Sequence, residues 1–265
     1  AYEITTRLVG SETCIRDRYE VVGNLSEQYR SYTNILAIGQ PINVFYGYKC
    51  DGIIQTLPEG LNAGLSGEDA MPGEFKYVNT YDGDGTQGVV NENDKCIIGD
   101  PNPDFLVNLT TAVSYKGFTL SAFFQSSIGN DIYSLSMAAQ AYDYGYNGNT
   151  LREVYYNHWT LENPTAKYPN LDQTSYKMSD RFVYDGSFVR LKNLELAYDV
   201  PCARNKFIKR ARVYVSAQNL FTITSYPFWD PDINANGGGS SMIQGVDSYC
   251  YPSARIYTIG CRLTF

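Results

Sequence analysis

The last eleven residues of the chain, RIYTIGCRLTF, constrain it most, because they alternate strictly with a period of two. In an extended strand that spacing puts Tyr257, Ile259, Cys261, Leu263 and Phe265 on one face and Ile256, Thr258, Gly260, Arg262 and Thr264 on the other. One face is apolar with aromatic ends and the other is mostly polar. The same period recurs upstream. In LTTAVSYKGFTLSAFFQ, Lys116-Gly117 reads as a tight turn between an arm with Val113 and Tyr115 and an arm with Phe118, Leu120, Ala122 and Phe124, with Phe123 the exception on the opposite face. KNLELAYDVP alternates Leu194, Leu196 and Tyr198 against Glu195, Ala197 and Asp199, and stops at Pro201. RVYVSAQNLF alternates Val213, Val215 and Ala217 against Tyr214, Ser216 and Gln218.

Alternation alone fits two architectures. A soluble sandwich turns the apolar face inward, whereas a barrel in lipid turns it outward around a polar interior. Glu195, Asp199, Arg212, Gln218 and Arg262 on polar faces suit the watered interior. Connection lengths discriminate further, because outer-membrane barrels alternate short turns with long outer loops. Read back from the C-terminus, residues 224 to 252 form a long connection, 201 to 210 a short one, 129 to 185 a long one, 116 and 117 a two-residue turn, and 57 to 103 another long one. A barrel meander requires that parity and a sandwich has no reason to keep it. The long segments are rich in Gly, Pro, Asn and Asp, as in AMPGEF, YDGDG, GDPNPD, GYNGN, ENPTAKYPN and WDPDINANGGGS. Short helices are expected in the loops at about 131 to 141 and 151 to 159.

Composition agrees. The 265 residues include 24 Tyr, 12 Phe and 23 Gly against 2 Trp and 1 His, a mixture that favours strands and tight turns. A net charge of −7 without a clustered basic face argues against nucleic acid as a partner. No run of 18 apolar residues exists, so a transmembrane helix is excluded and only a closed barrel could span a membrane. Ala1 opens into AYEITTRLVG without a signal peptide, which leaves either a cytosolic protein or a missing N-terminus. Six cysteines (Cys14, Cys50, Cys96, Cys202, Cys250, Cys261) carry no CxxC pair, so finger-type metal spacing is absent and their pairing is open.

Several segments resemble the C-terminal half of the SusC/RagA class of TonB-linked outer-membrane receptors: GDPNPDF at 99 to 105, SYKGFTLSAFFQSSIGNDIY at 114 to 133, RFVYDGSFVRLKNLELAYDVP at 181 to 201, VYVSAQNLFTIT at 213 to 224 and YPSARIYTIGCRLTF at 251 to 265. FYGYKCDGIIQ at 45 to 55 resembles an earlier barrel segment of that family. The resemblance implies an all-β fold, the antiparallel transmembrane β-barrel portion of a larger barrel of about twenty-two strands. About eight C-terminal strands would lie here, joined by long outer loops containing short helices. It further implies import of oligosaccharides or peptides together with a SusD-like surface lipoprotein, coupled to TonB through an N-terminal region absent from this sequence. By this reading the chain is a fragment, residues 20 to 265 are barrel, and the exposed edges and lipid-facing surface make it aggregate in water. Residues 8 to 19, LVGSETCIRDRY, resemble instead a peptide produced when sequencing-adapter DNA is translated, so residues 1 to 19 are expected to be a non-native lead and Cys14 to drop from the cysteine count.

Individual residues follow. Phe265, with Tyr257 and Leu263, resembles the terminal signal by which the barrel assembly machinery recognises its clients; the plainer reading is a strand that ends in Phe. TYDGDGTQGVVNENDKCIIGD at 80 to 100 resembles a calcium loop, with Asp82, Asp84 and Asp94 as candidate ligands. It departs from the pattern, with Thr80 in the first acidic position and Thr86-Gln87-Gly88 inserted, and a solvated acidic turn is the alternative; no other cofactor is expected. His158, the sole histidine, lies in HWTLENP, which resembles a family loop without catalytic role, so a zinc site or a triad is not expected. Tyr142, Tyr144, Tyr146 and Trp229 suit sugar rings stacked on aromatic faces, against loop packing or an interfacial aromatic girdle and, for Trp229 beside Asp230 and Asp232, against a structural or partner-contact role. Two rival functions remain on the sequence. A secreted β-sandwich carbohydrate-binding module would bury the apolar face, and a glycoside hydrolase would need a defined carboxylate pair, which nothing singles out, so no enzyme is expected.

Overall fold

The computed structural model describes residues 19–24, 32–37, 39–82, 88–141, 149–171, 177–201, 208–233 and 243–265. In chain order the strands are β1 (Tyr19–Asn24), β2 (Tyr32–Ala37), β3 (Val44–Gly47), β4 (Cys50–Ile53), β5 (Phe75–Tyr77), β6 (Cys96–Gly99), β7 (Phe105–Tyr115), β8 (Phe118–Ile128), β9 (Asp131–Ser134), β10 (Val183–Asp185), β11 (Phe188–Val200), β12 (Arg210–Thr224), β13 (Val246–Asp247) and β14 (Ile256–Thr264). Three short helices, α1 (Leu57–Asn62), α2 (Leu135–Ala141) and α3 (Arg152–Tyr156), lie in the connections. None is long and apolar enough to cross a membrane, a criterion that does not bear on strands. The chain divides into two compact units, the first from residues up to 102, 133–183 and 234–248, the second from 103–132, 184–233 and 249–265.

The second unit is a five-stranded antiparallel sheet in the order β14-β12-β11-β8-β7. Lys116 and Gly117, at φ +48° and +86°, supply the two left-handed positions that a primed two-residue turn requires, and so fix the β7–β8 register at Tyr115↔Phe118. From there the pairing carries one apolar row across all five strands: Val113, Leu120, Leu196, Val215 and Ile259. The row beside it, on the opposite face, is Ala112, Ser121, Glu195, Ser216 and Thr258. Apolar and polar faces therefore coincide from strand to strand, as the alternation predicts, because a slip of one residue would turn a whole strand over. The apolar row stays open, with exposures between 47% and 84%. On the polar face Arg212 lies 3.8 Å from Glu195 and 3.9 Å from Asp199.

Connection lengths follow the expected parity. Two residues join β7 to β8 and residues 201–209 join β11 to β12 at one end, while 129–187 and 225–255 are the long connections at the other. The helix expected over 131 to 141 is shortened to Leu135–Ala141, because Asp131–Ser134 is extended and Tyr133-Ser134 pairs in parallel with Val246-Asp247. A local helical pattern yields here to a long-range ladder. The second expected helix, 151 to 159, is α3 alone.

The first unit holds a four-stranded sheet, β1-β2-β3-β6, the β4–β5 ladder and the packed parts of the loops. Its core is aromatic: Phe45 lies 6.1 Å from Tyr133 and Phe75 meets Phe182 edge-on at 6.0 Å, geometries that aromatic pairs favour. Trp159 Nε1 donates to Gln55 Oε1 at 2.8 Å, which satisfies the indole as it is buried. Thr56 caps α1 through its hydroxyl, and Pro58 occupies the first turn, where its missing N–H costs nothing.

Candidate ligand-binding site

A cavity of about 310 Å³ in the second unit lies between the polar face of the sheet and the two ends of the 225–255 connection. Its wall is supplied by Arg190, Asn219, Thr222 and Thr224 from the strands, and its loop side by Trp229, Asp230, Ser253 and Arg255 with two prolines.

Arg190 organises it. The β11 alternation slips by one residue at the irregularity between Leu191 and Asn193, and that slip places this side chain on the polar face, opposite Gln125 on β8 and Thr222 on β12. It is 2% exposed, and a buried guanidinium is tolerated only when paired. Nε donates to Thr222 Oγ1 at 2.9 Å, Nη1 to Ser253 Oγ at 3.2 Å and to Asp232 at 3.4 Å, and Nη2 to Asp230 Oδ1. Asp230 also accepts the backbone N–H groups of Asp232 and Ser253, both at 2.9 Å. Burial alone would raise the Asp230 carboxyl, but these N–H donors and the guanidinium outweigh it and hold the group below the ordinary aspartate range. The wall thus grips both feet of the long connection with one side chain.

Asn219 is placed by an irregularity. Between the pairs Leu191↔Phe221 and Asn193↔Gln218 the β11–β12 register shifts, and Asn219 takes a left-handed φ of +51° there. Its Nδ2 donates to Ala254 O at 3.0 Å, which directs the amide oxygen the other way; that oxygen is buried without a hydrogen-bond partner.

Of the residues singled out in the sequence, Trp229 lines this cavity and is 64% exposed, beside Phe228 at a ring separation of 6.3 Å. Tyr142, Tyr144 and Tyr146 lie outside the described residues, as do Asp84, Cys14, Cys202 and nearly all of the 1–19 lead. Asp94 is fully buried and accepts the backbone N–H groups of Thr80 at 2.6 Å, Tyr81 at 2.9 Å and Asn91 at 2.7 Å. Asp82 Oδ1 accepts from Asn79 Nδ2 at 3.0 Å and Gly88 N at 3.2 Å. Among the described residues no three His, Cys, Asp or Glu side chains gather as a metal set. Tyr257 and Leu263 stand on the apolar face of β14, opposite Ala217 and Ala211, and Phe265 follows the strand, 71% exposed. His158 Nδ1 lies 2.5 Å from Tyr155 O in a local turn. Cys50, Cys96, Cys250 and Cys261 form no disulfide, and burial pushes the Cys50 thiol up to about 11, out of the reactive range. Sequence reading missed Arg190 and Asn219. A charged residue inside the apolar-flanked run SFVRLKN, with Asp230-Pro231-Asp232 downstream, is the signal that could have found the first; nothing local marks the second.

No protein-family model matches the chain. Comparison with characterised proteins does find relatives. TonB-dependent receptor P3 of Formosa agariphila is 35% identical over 240 residues, 88% of this chain and 23% of the relative. TonB-dependent receptor SusC of Bacteroides thetaiotaomicron is 27% identical over 264 residues, 98% of this chain and 23% of that protein. Among solved structures, that of the RagAB peptide transporter superposes with a TM-score of 0.71 at 24% identity, over 94% of this chain and 24% of that one. The chain belongs with the SusC/RagA-like TonB-dependent receptors. It spans about a quarter of the length of the receptors it matches. A second RagAB structure, the peptide importer in the 'open-open' state, superposes at 0.65 with 25% identity. The five-stranded sheet with its long connections is thereby a stretch of receptor barrel, antiparallel and not closed on itself.

Proposed function

We propose that this receptor segment forms wall and outer loops of an outer-membrane importer that takes up oligosaccharides or peptides. It works with a SusD-like surface lipoprotein and draws energy through TonB. The supporting observation is the coincidence, across five paired strands, of an open apolar face with a polar face carrying Arg190, Glu195, Asp199 and Arg212. In lipid the apolar face meets acyl chains and the polar face meets water or cargo. A secreted sandwich module would cover the row Val113 to Ile259 with a second sheet, and the openness of that row speaks against it.

In this reading no bond is made or broken. Trp229 contacts cargo at the cavity above, and Tyr142, Tyr144 and Tyr146 contribute further aromatic contacts from the 129–187 connection. Tyr257, Leu263 and Phe265 form the signal read by the barrel assembly machinery. Calcium, if held by Asp82, Asp84 and Asp94, stiffens an outer loop and takes no part in transport. The test is uptake of a labelled oligosaccharide and a labelled oligopeptide by the source cells. Loss of either after deletion of the receptor gene, and equally after deletion of TonB, is expected; undiminished accumulation of both in both strains refutes the importer.

A further inference from the structure

The reading of Trp229 as a cargo contact can be carried to a ligand chemistry. We infer that the cavity between Arg190 and Trp229 is a subsite for a sugar residue bearing a carboxylate, recognised by Arg255. The inference rests on the proposed role of Trp229 and adds the charge.

The charge balance of the cavity comes first. Asp230 and Asp232 are both matched, the one by Arg190 and the other by Arg190 and Lys192. Arg255, on the cavity wall and exposed, has no carboxylate partner among the described residues. A guanidinium left free in a chain of net charge −7 is a fork that fits a planar carboxylate through two parallel N–H···O bonds.

Hydrogen-bonding capacity comes second. Thr222 Oγ1 already accepts from Arg190 Nε, so its own proton is free to donate. A ring hydroxyl supplies an acceptor to Thr222. Trp229 offers an open indole face against which the apolar side of a sugar ring can lie. At about 310 Å³ the cavity is at the small end of ligand pockets, suited to one residue of a longer chain. A peptide C-terminus would also satisfy Arg255 and Thr222, but its backbone offers no ring with an apolar C–H side to lie on the open indole of Trp229, so the acidic sugar is favoured.

The experiment titrates the full-length receptor, purified in detergent, with methyl β-glucuronide, methyl β-glucoside and an acetylated dipeptide with a free C-terminus. Binding is read by calorimetry or saturation-transfer NMR. A charge-assisted bidentate pair should favour the glucuronide over the glucoside roughly tenfold. Arg255→Gln should collapse that ratio to about one and Arg255→Lys should keep part of it, whereas Trp229→Ala should weaken both sugars. Unchanged protection of the Asp232 and Ser253 amides in each variant shows that the fold is intact. Equal affinity for the two sugars in the unaltered receptor overturns the carboxylate inference while sparing Trp229 as a ring contact. A glucuronide preference that survives Arg255→Gln overturns the role of Arg255. Tighter binding of the dipeptide than of the glucuronide overturns the acidic sugar. Binding of neither sugar overturns the subsite and the reading of Trp229 together.

Discussion

Arg190→Met removes the guanidinium while keeping much of the apolar stem, and its effect can be worked out contact by contact. Four hydrogen bonds disappear, to Thr222, Ser253, Asp232 and Asp230, and Asp230, 8% exposed, loses its counter-ion. Removing one member of a buried ion pair costs about 3–5 kcal/mol. Asp230 keeps the N–H groups of Asp232 and Ser253, so the lower end, about 3 kcal/mol, applies here. The loss falls on the attachment of the 225–255 connection, because β11 itself keeps its ladders to β8 and β12. Hydrogen exchange of the Asp232 and Ser253 amides in the detergent-solubilised receptor should therefore quicken about a hundredfold. Arg190→Lys should fall between, since it retains charge without the fork. Arg190→Met combined with Asp230→Leu should cost less than the two single losses added, because the orphaned carboxylate goes with its partner. Acid supplies an independent check. The Asp230 pKa is depressed in the folded state, so its stabilisation is fully present above the ordinary aspartate range and fades as pH falls through the lower folded value. Exchange that changes less than about threefold in Arg190→Met, or an attachment indifferent to pH down to the acid limit of the fold, would refute the clamp.

Three further outcomes are expected. A Cβ at Gly260 would lie 2.4 Å from Cζ of Tyr214, its cross-strand neighbour, so Gly260→Val should cost about 1–3 kcal/mol of overpacking and lower the heat-modifiable folded band on gels, with Tyr214→Ala in the same chain restoring it. Asp94→Asn replaces one of the acceptors of Thr80, Tyr81 and Asn91 N–H by an amide donor and should cost about 1–3 kcal/mol, read as faster exchange across 79–94; a chelator that produces the same loss in the unaltered receptor would assign calcium to that loop. Deleting Phe265, or changing Tyr257 to Ser, should reduce the receptor delivered to the outer membrane several-fold while leaving total synthesis unchanged, and equal delivery would remove these residues from any assembly signal.

The sequence by itself determined the wall. A period of two is a local property, and once Lys116-Gly117 sets one register, each neighbouring strand must align its apolar residues or turn them over. Loop parity was equally legible, because Gly, Pro, Asn and Asp mark connections wherever they cluster. What only tertiary structure decided depends on residues far apart in the chain. Asp131–Ser134 became a strand because Val246-Asp247 came alongside, overriding a helical pattern. Asp94 became the closing bolt of its loop through three backbone donors that composition cannot announce. The site itself joins a strand arginine at 190, an irregular asparagine at 219 and loop residues from 229 to 255, and no window of sequence holds them together. Burial turns Arg190 from one charge among many into the fixed point of the loop, because only in a desolvated setting must every donor find a partner.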